Sequence, residues 1–279
     1  MTLKDKNNKK SDQAWNLLYS RLEQEGLLNE KEVVRQSIFH SAALKWAASL
    51  AILITITLLI RDVNISQTDM LTLYNGEEIS TFVTTLEDGS VVYLAKNASL
   101  SYPRHFQKRK REVFLQGDAF FEVSKNARSP FIIETGLIKI EVLGTSFNVK
   151  ISDKVYSSLS VNSGEVKVTL KRDGQSTRIT AGETLLIHTD RLQKVQTHDM
   201  EQFTRYSDCM HFKDERLADV IRVINRNLDG LQLEVAPELE ERLLTATFSK
   251  NSADSMAQFI CIALNLKYSQ QYNTIRIYE

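Results

Sequence analysis

The sequence has little of what a disulfide scaffold, a zinc site or a nucleic-acid groove requires. Its 279 residues include only two cysteines, Cys209 and Cys261. Two thiols can form one bridge, and they are too few for a cysteine-based structural zinc site. The 35 basic and 35 acidic residues cancel, whereas a nucleic-acid groove needs a basic excess on one domain. Composition therefore argues against these three classes and leaves a Cys209–Cys261 bridge open.

Catalytic motifs are missing as well. The chain has no Gly-x-Ser-x-Gly elbow, no Gly-x-x-x-x-Gly-Lys phosphate loop and no His-Glu-x-x-His zinc motif. The five histidines are scattered along the sequence: His40, His105, His188, His198 and His211. We therefore expect a protein that is not an enzyme and has no catalytic residue, no cofactor and no metal.

One apolar run contains no charge. It covers residues 46–60, WAASLAILITITLLI, and as a helix would span about 22 Å of the roughly 30 Å hydrocarbon core. Extending it back to Ala42 provides the missing length, since Lys45 near the end can reach the headgroups. The run is apolar on every face, unlike a surface helix, and no small-residue cleavage site follows it. The sequence predicts one transmembrane helix over 42–61.

The charges on the two sides of this run differ. The preceding segment is basic, with Lys4, Lys6, Lys9, Lys10, Arg21, Lys31, Arg35 and Lys45. After Arg61 the next basic residue is Lys96, and only acidic charges lie between them. Because basic segments stay in the cytoplasm, the N-terminus is predicted to be cytoplasmic and the rest of the chain exported. A chain with one end in each compartment has the topology of a signal transducer.

The cytoplasmic segment carries an apolar pattern with helical spacing. We call these four residues the N-terminal stripe: Trp15, Leu18, Tyr19 and Leu22. A second helix is predicted to start at Asn29, with Glu32 at the capping-box position. So short a segment buries too little surface to be stable alone. The stripe therefore either packs within a helical hairpin or binds a partner groove, and the sequence leaves both interpretations open.

The exported region begins with alternating strands. Apolar residues recur at every second position in several runs: Ile138, Ile140, Val142; Phe147, Val149, Ile151; and Val166, Val168, Leu170. Glycines separate these runs, and Gly117 and Gly144 suit tight turns. Short strands that repeat in this way predict an all-β sandwich, barrel or solenoid-like stack over residues 79–190.

Several blocks in this region resemble the FecR domain. In chain order they are Leu86–Leu94 (LEDGSVVYL), Asn97–Pro103 (NASLSYP), Arg111–Val123 (REVFLQGDAFFEV), Pro130–Ile132 (PFI), Val142–Val149 (VLGTSFNV), Gly164–Val166 (GEV) and Ala181–Glu183 (AGE). The order and spacing are those of the family. Asp118 departs from the pattern, since the family usually has Glu there, but the acidic character is kept.

In the C-terminal residues the spacing of apolar side chains alternates between that of helices and that of strands. This pattern predicts a β-α-β-β-α-β-β unit with its helices on one sheet face. Asp214 and Ser252 are the predicted helix caps, and Gly230 the predicted stop of the first helix. The unit resembles the short secretin/TonB N-terminal (STN) domain that ends FecR-like proteins of the Bacteroidetes type. Tyr206 stands where that family often has Trp.

These resemblances imply an anti-sigma factor. By family analogy it would be a bacterial inner-membrane protein that relays a signal from the N-terminal signalling domain of a TonB-dependent outer-membrane transporter to a cytoplasmic extracytoplasmic-function (ECF) sigma factor. The N-terminal stripe would contact the sigma factor. The expected organisation is a cytoplasmic helical segment (1–41), the transmembrane helix (42–61), a periplasmic linker (62–78), the β-rich FecR domain (79–190), a second linker (191–208) and the α+β STN-like domain (209–279).

Two other functions remain open at this point. A membrane-anchored periplasmic binding or adhesion β-protein would use the β region alone and would not need residues 1–40. A subunit of an envelope secretion complex is suggested by the STN-like ending and would form stable oligomers.

Overall fold

The structure is a computed structural model that describes residues 3–26, 46, 49–55, 69–151, 157–228, 230–249 and 252–279. The chain divides into two units, Met1–Ser66 and Gln67–Glu279. In the first unit, helix α1 covers Leu3–Gln24 and ends in a turn at Gly26, which has a φ of +68°. Positive φ is open to glycine at low cost, so this residue suits a helix end.

The other predictions for the first unit fall largely outside the described residues. The second helix, with Asn29 and Glu32, lies there entirely. Of the predicted span 42–61, the structure describes Trp46 and residues 49–55, all of them helical and, over 49–55, exposed. No helix in the described part of the chain is both long enough and apolar enough to cross a membrane.

The second unit begins with fourteen strands among its described residues. They are β1 (Met70–Tyr74), β2 (Thr81–Thr85), β3 (Val91–Ala95), β4 (Ser99–Pro103), β5 (Arg111–Gln116), β6 (Ala119–Glu122), β7 (Phe131–Glu134), β8 (Ile138–Val142), β9 (Ser146–Lys150), β10 (Ser157–Ser163), β11 (Glu165–Leu170), β12 (Ser176–Thr180), β13 (Glu183–Ile187) and β14 (Leu192–Gln196). The predicted alternation is present, because Ile138, Ile140 and Val142 are buried while the residues between them are half-buried.

The remaining elements form the C-terminal module, residues 209–279. They are β15 (Cys209–Arg216), α2 (Leu217–Arg226), β16 (Gln232–Val235), β17 (Leu243–Ser249), α3 (Ala253–Leu264), β18 (Lys267–Gln271) and β19 (Thr274–Tyr278). This is the element order that the sequence predicts. Ser252 caps α3 as expected, since its hydroxyl accepts a hydrogen bond from the Ser255 N–H.

Strands β1–β14 form a two-sheet sandwich. One sheet has the order β1-β4-β5-β7-β8-β11-β12, and the other has the order β14-β13-β10-β9-β6-β3-β2-β15-β17. The two sheets share one apolar core. Across it, the rings of Phe121 on β6 and Phe131 on β7 lie 6.4 Å apart in a T-shaped contact. Of the predicted architectures, the sandwich is therefore the one present.

The C-terminal module continues one sheet of the sandwich. Strand β15 pairs with β2 in parallel, with Met210 opposite Thr81 and His211 opposite Phe82. Strand β17 pairs with β15 and extends the same sheet, and the remaining three strands of the module form a separate sheet of order β16-β19-β18. Both helices contact both sheets. The prediction of a single sheet for this unit is therefore wrong, because its strands divide between two sheets and both helices pack against each.

Three other local expectations differ from the structure. Asp214 does not cap α2; it lies in a bulge of β15 with a φ of +53°, and α2 begins after Arg216 without a side-chain cap. Helix α2 ends at Arg226, before the predicted stop at Gly230. The segments 62–78 and 191–208, predicted to be linkers, contain β1 and β14 respectively.

Candidate partner-binding surfaces

The four residues of the N-terminal stripe lie along one face of α1. Positions three, four and seven residues apart share a helix face. Trp15, Leu18 and Tyr19 expose 57%, 47% and 58% of their surface, and Leu22 is half-buried. The structure thus places all four sequence-predicted residues on one apolar face, three of them exposed, and exposed apolar patches are of the kind that marks interaction sites.

Leu17 provides a reference for this surface. It is also apolar and 61% exposed, but it points away from the stripe because each helical residue is rotated by about 100° from the last. A change at Leu17 therefore alters apolar exposure without altering the stripe.

In the second unit, an aromatic cluster joins the sandwich to the segment before the C-terminal module. The ring of Phe120 on β6 lies 5.9 Å from Tyr206, 6.2 Å from Phe203 and 5.5 Å from Tyr93. The Tyr206 hydroxyl donates to Asn148 Oδ1 at 2.9 Å. The ring and the hydroxyl of Tyr206 therefore both hold the segment before β15 against the outer face of the nine-stranded sheet.

A half-buried carboxyl lies where β15 meets β2. Glu215 Oε2 accepts a hydrogen bond from the Thr85 N–H at 3.4 Å. Burial raises the pKa of Glu215 to about 7, and the nearby Asp219 carboxylate adds to this, while hydrogen bonds from Thr84 and Thr85 and the charge of Arg222 act in the opposite direction. The junction therefore contains a carboxyl group that titrates near neutral pH.

A buried ion pair fixes the turn between β2 and β3. Arg111 is 2% exposed, and its Nη1 donates to Asp88 Oδ2 at 2.5 Å and to the Ser124 carbonyl at 2.9 Å. Its Nε donates to the Ser129 carbonyl at 3.0 Å. Sequence reasoning missed this arginine, although it occupies an inward position of the alternating strand β5, two residues before the buried Val113.

The edge strand β16 is closed by a side chain. Asn225 Nδ2 donates to the Leu233 carbonyl at 2.8 Å, and Asn225 Oδ1 accepts from the Leu233 N–H at 2.9 Å. One amide group thus occupies both backbone groups that an added strand would use at this residue. Asn225 therefore reduces pairing at this edge of the three-stranded sheet.

The described residues do not converge on a metal or redox site. Among them, no group of three or more His, Cys, Asp or Glu side chains is arranged to hold a metal ion. Cys209 and Cys261 are both free thiols, and burial raises the pKa of Cys261. The bridge that the sequence left open is therefore not formed.

A family model described as FecR protein matches residues 77–167. This region is a FecR domain. The FecR domain contains the sequence blocks from Leu86 to Val166, together with the Asp88–Arg111 pair and the Phe121 core contact. The last of the resembling blocks, Ala181–Glu183, lies beyond the matched residues.

The similarity of this chain to solved structures is weaker than the family match. Two crystal structures of a proposed anti-sigma factor from Parabacteroides distasonis are similar to this chain, each with 22% sequence identity and a TM-score of 0.46. Each alignment covers 75% of this chain and 99% of the other. No curated protein matches the chain.

Proposed function

We propose that this chain is a transmembrane anti-sigma factor that relays a signal from a TonB-dependent outer-membrane transporter to a cytoplasmic ECF sigma factor. The observation that carries the proposal is the FecR domain at residues 77–167, which supports a role in signal transduction. The apolar run 46–60 and the basic segment before it support a single crossing of the inner membrane with a cytoplasmic N-terminus. The sandwich and the C-terminal module then lie in the periplasm.

The N-terminal stripe is the proposed sigma-factor contact. An amphipathic helix binds a partner by laying its apolar face into a groove, with anchors at positions i, i+3, i+4 and i+7. Trp15, Leu18, Tyr19 and Leu22 have this spacing, and the first three are exposed. Large aromatic anchors contribute strongly to such interfaces, so Trp15 is the residue on which we expect capture to depend most.

The C-terminal module is the proposed STN-like domain that meets the transporter. Its β-α-β-β-α-β-β element order supports this assignment. Strand β18 is the terminal strand of the three-stranded sheet, on the side opposite β16. Backbone groups at such an edge can pair with an added strand, so β18 offers the signalling domain of the transporter an edge that Asn225 does not occupy.

Capture of the cognate sigma factor by the detergent-solubilised full chain tests the cytoplasmic half of the proposal. For Trp15→Ala/Leu18→Ala we expect affinity to fall by at least about tenfold, because each large apolar side chain contributes roughly 1.5–3 kcal/mol when buried. Titration of the sigma factor against immobilised chain measures the change.

Leu17→Ala is the matched control and should bind as the unmodified chain does. Undiminished capture by the double variant would rule out the stripe as the contact. Failure of the unmodified chain to capture any sigma factor would refute the anti-sigma function. If the protein keeps its cellular function after deletion of residues 1–40, a periplasmic binding protein would be favoured instead.

A further inference from the structure

The sandwich has a basic end that the proposed function does not use. We define the basic end by five exposed side chains on two turns, the β4–β5 turn and the β6–β7 turn: Arg104, Lys108, Arg109, Lys125 and Arg128. The two turns are neighbours because β5 and β7 pair in parallel, with Arg111 opposite Phe131. The Arg111 N–H also donates to the Pro130 carbonyl at 2.9 Å.

The chain enters the sandwich at this same end. Strand β1 runs antiparallel to β4, with Met70 opposite Pro103. The Arg104 N–H donates to the Asp69 carbonyl at 2.9 Å. The first described residue of the second unit is therefore bonded directly to the β4–β5 turn.

Most acidic side chains near this end are already engaged, while Asp69 adds one exposed negative charge. Glu87 accepts from the Phe106 N–H at 2.9 Å and contacts His105 at 3.1 Å. Asp88 pairs with the buried Arg111, and Glu112 pairs with Lys110. Within the described residues, none of the five cations of the basic end forms a salt bridge with an acidic side chain.

The opposite end of the sandwich has a different charge pattern. Its turn between β1 and β2 carries the exposed Glu77 and Glu78. In the β11–β12 turn, Arg172 pairs with Asp173 at 2.8 Å. That end also has the exposed Lys96 and Arg191, so its charges are mixed, whereas the five cations of the basic end share one sign.

Exposed apolar side chains accompany the basic end. Met70 is 46% exposed and Leu143 is 49% exposed. Leu143 lies beside the β6–β7 turn, since its carbonyl accepts from the Asn126 N–H at 2.7 Å. Cations with nearby apolar side chains are the pattern of surfaces that rest on lipid headgroups.

We propose that the basic end is a membrane-binding surface that takes the anionic phosphate headgroups of the periplasmic leaflet. The inference rests on the proposed membrane anchor. Residues 62–69 join the predicted span to Met70, and at roughly 3.3–3.6 Å per residue they reach at most about 30 Å. Within that reach, headgroup binding would hold the β4–β5 turn against the bilayer and direct the opposite end towards the outer membrane.

Headgroup quenching on the reconstituted full chain tests the proposal. A fluorophore is attached at Gln107→Cys in the β4–β5 turn, in a Cys209→Ser background because Cys261 is buried. Vesicles contain phosphatidylcholine with or without phosphatidylglycerol, plus a headgroup spin label. We expect quenching to be at least about twofold greater with the anionic lipid and to fall at high salt, which screens exposed charges. Lys108→Gln/Arg109→Gln should abolish the difference.

Two controls match this design. A fluorophore at Gln175→Cys, in the exposed turn at the opposite end, should show no dependence on anionic lipid. Lys96→Gln/Arg191→Gln removes the same charge from that opposite end and should leave the Gln107 signal unchanged. Equal quenching with and without phosphatidylglycerol, or equal loss in both charge variants, would overturn the membrane-binding surface.

Alkaline extraction of the same vesicles separates this inference from the proposed function. If the chain resists extraction but anionic lipid does not change the quenching, only the membrane-binding role of the basic end is refuted. If the chain is extracted, the proposed membrane anchor is refuted, and the membrane-binding surface, which rests on that anchor, is refuted as well.

Discussion

The sandwich and the C-terminal module differ in how their cores are closed. The core of the sandwich is built only from its own residues, from Phe82 to Ile187. The core of the module also includes four sandwich residues, Val83, Val91, Tyr93 and Phe120, on the outer face of the nine-stranded sheet. The sandwich thus provides one wall of the module, whereas the module contributes nothing to the core of the sandwich. We expect the module to depend on the sandwich for its stability, and not the reverse.

Two adjacent phenylalanines of β6 allow this asymmetry to be tested. Phe121 faces the sandwich core, where its ring stacks on Phe147 at 5.4 Å. For Phe121→Ala we expect the free energy of unfolding to fall by about 3–5 kcal/mol, with protection lost in both regions. Chemical denaturation and amide hydrogen exchange measure the two effects.

Phe120 faces the other core and should give a smaller, more local loss. We expect Phe120→Ala to cost about 2–4 kcal/mol and to increase hydrogen exchange in residues 209–279 while β7–β11 stay protected. Phe259→Ala, at an α3 position that is 53% exposed, is the control and should change little. If the Phe120 and Phe121 variants lost protection in the same residues, the two regions would be one cooperative unit and the asymmetry would be refuted.

The junction between the two regions should also depend on pH. Since the folded state raises the pKa of Glu215 to about 7, above its ordinary value, the stability associated with the protonated carboxyl is complete at acidic pH and is lost as pH rises through 7. Glu215→Gln stays neutral, so we expect it to exceed the unmodified chain by about 1 kcal/mol at pH 8, after screening is allowed for, and to match it near pH 4.

Denaturation of the two proteins across this range measures the difference. Glu238→Gln, at an exposed position, should have the same stability as the unmodified chain across this pH range. A constant offset between Glu215→Gln and the unmodified chain at all pH values would show that the junction does not sense protonation.

The sequence predicts the local features of the sandwich well. Alternation identified Val166, Val168 and Leu170, and all three are buried. Gly117 was expected in a turn; it has a φ of +83°, and a Cβ there would lie 3.0 Å from Ala98. The four residues of the N-terminal stripe also share one face as their spacing requires. These features depend on local periodicity and backbone geometry, which a single sequence contains.

Features that join distant segments were not predicted. The pairing of β15 with β2 brings Glu215 to Thr85, which is 130 residues away, and no local pattern indicates it. Asp214 is a residue type that often caps helices, yet a bulge in β15 places it three residues before the helix begins. The buried Arg111 needs partners from two separate turns, β2–β3 and β6–β7. In each case tertiary contacts decide the outcome over local preference.

The Asn225 amide has a consequence for how this protein can assemble. A sheet with one blocked side grows in one direction only, so two copies cannot join through β16 unless both withdraw that side chain. A partner strand that joins the small sheet would therefore add at one edge only, beside β18 (Lys267–Gln271). The hydrogen bonds between Asn225 and Leu233 would stay intact in such a complex.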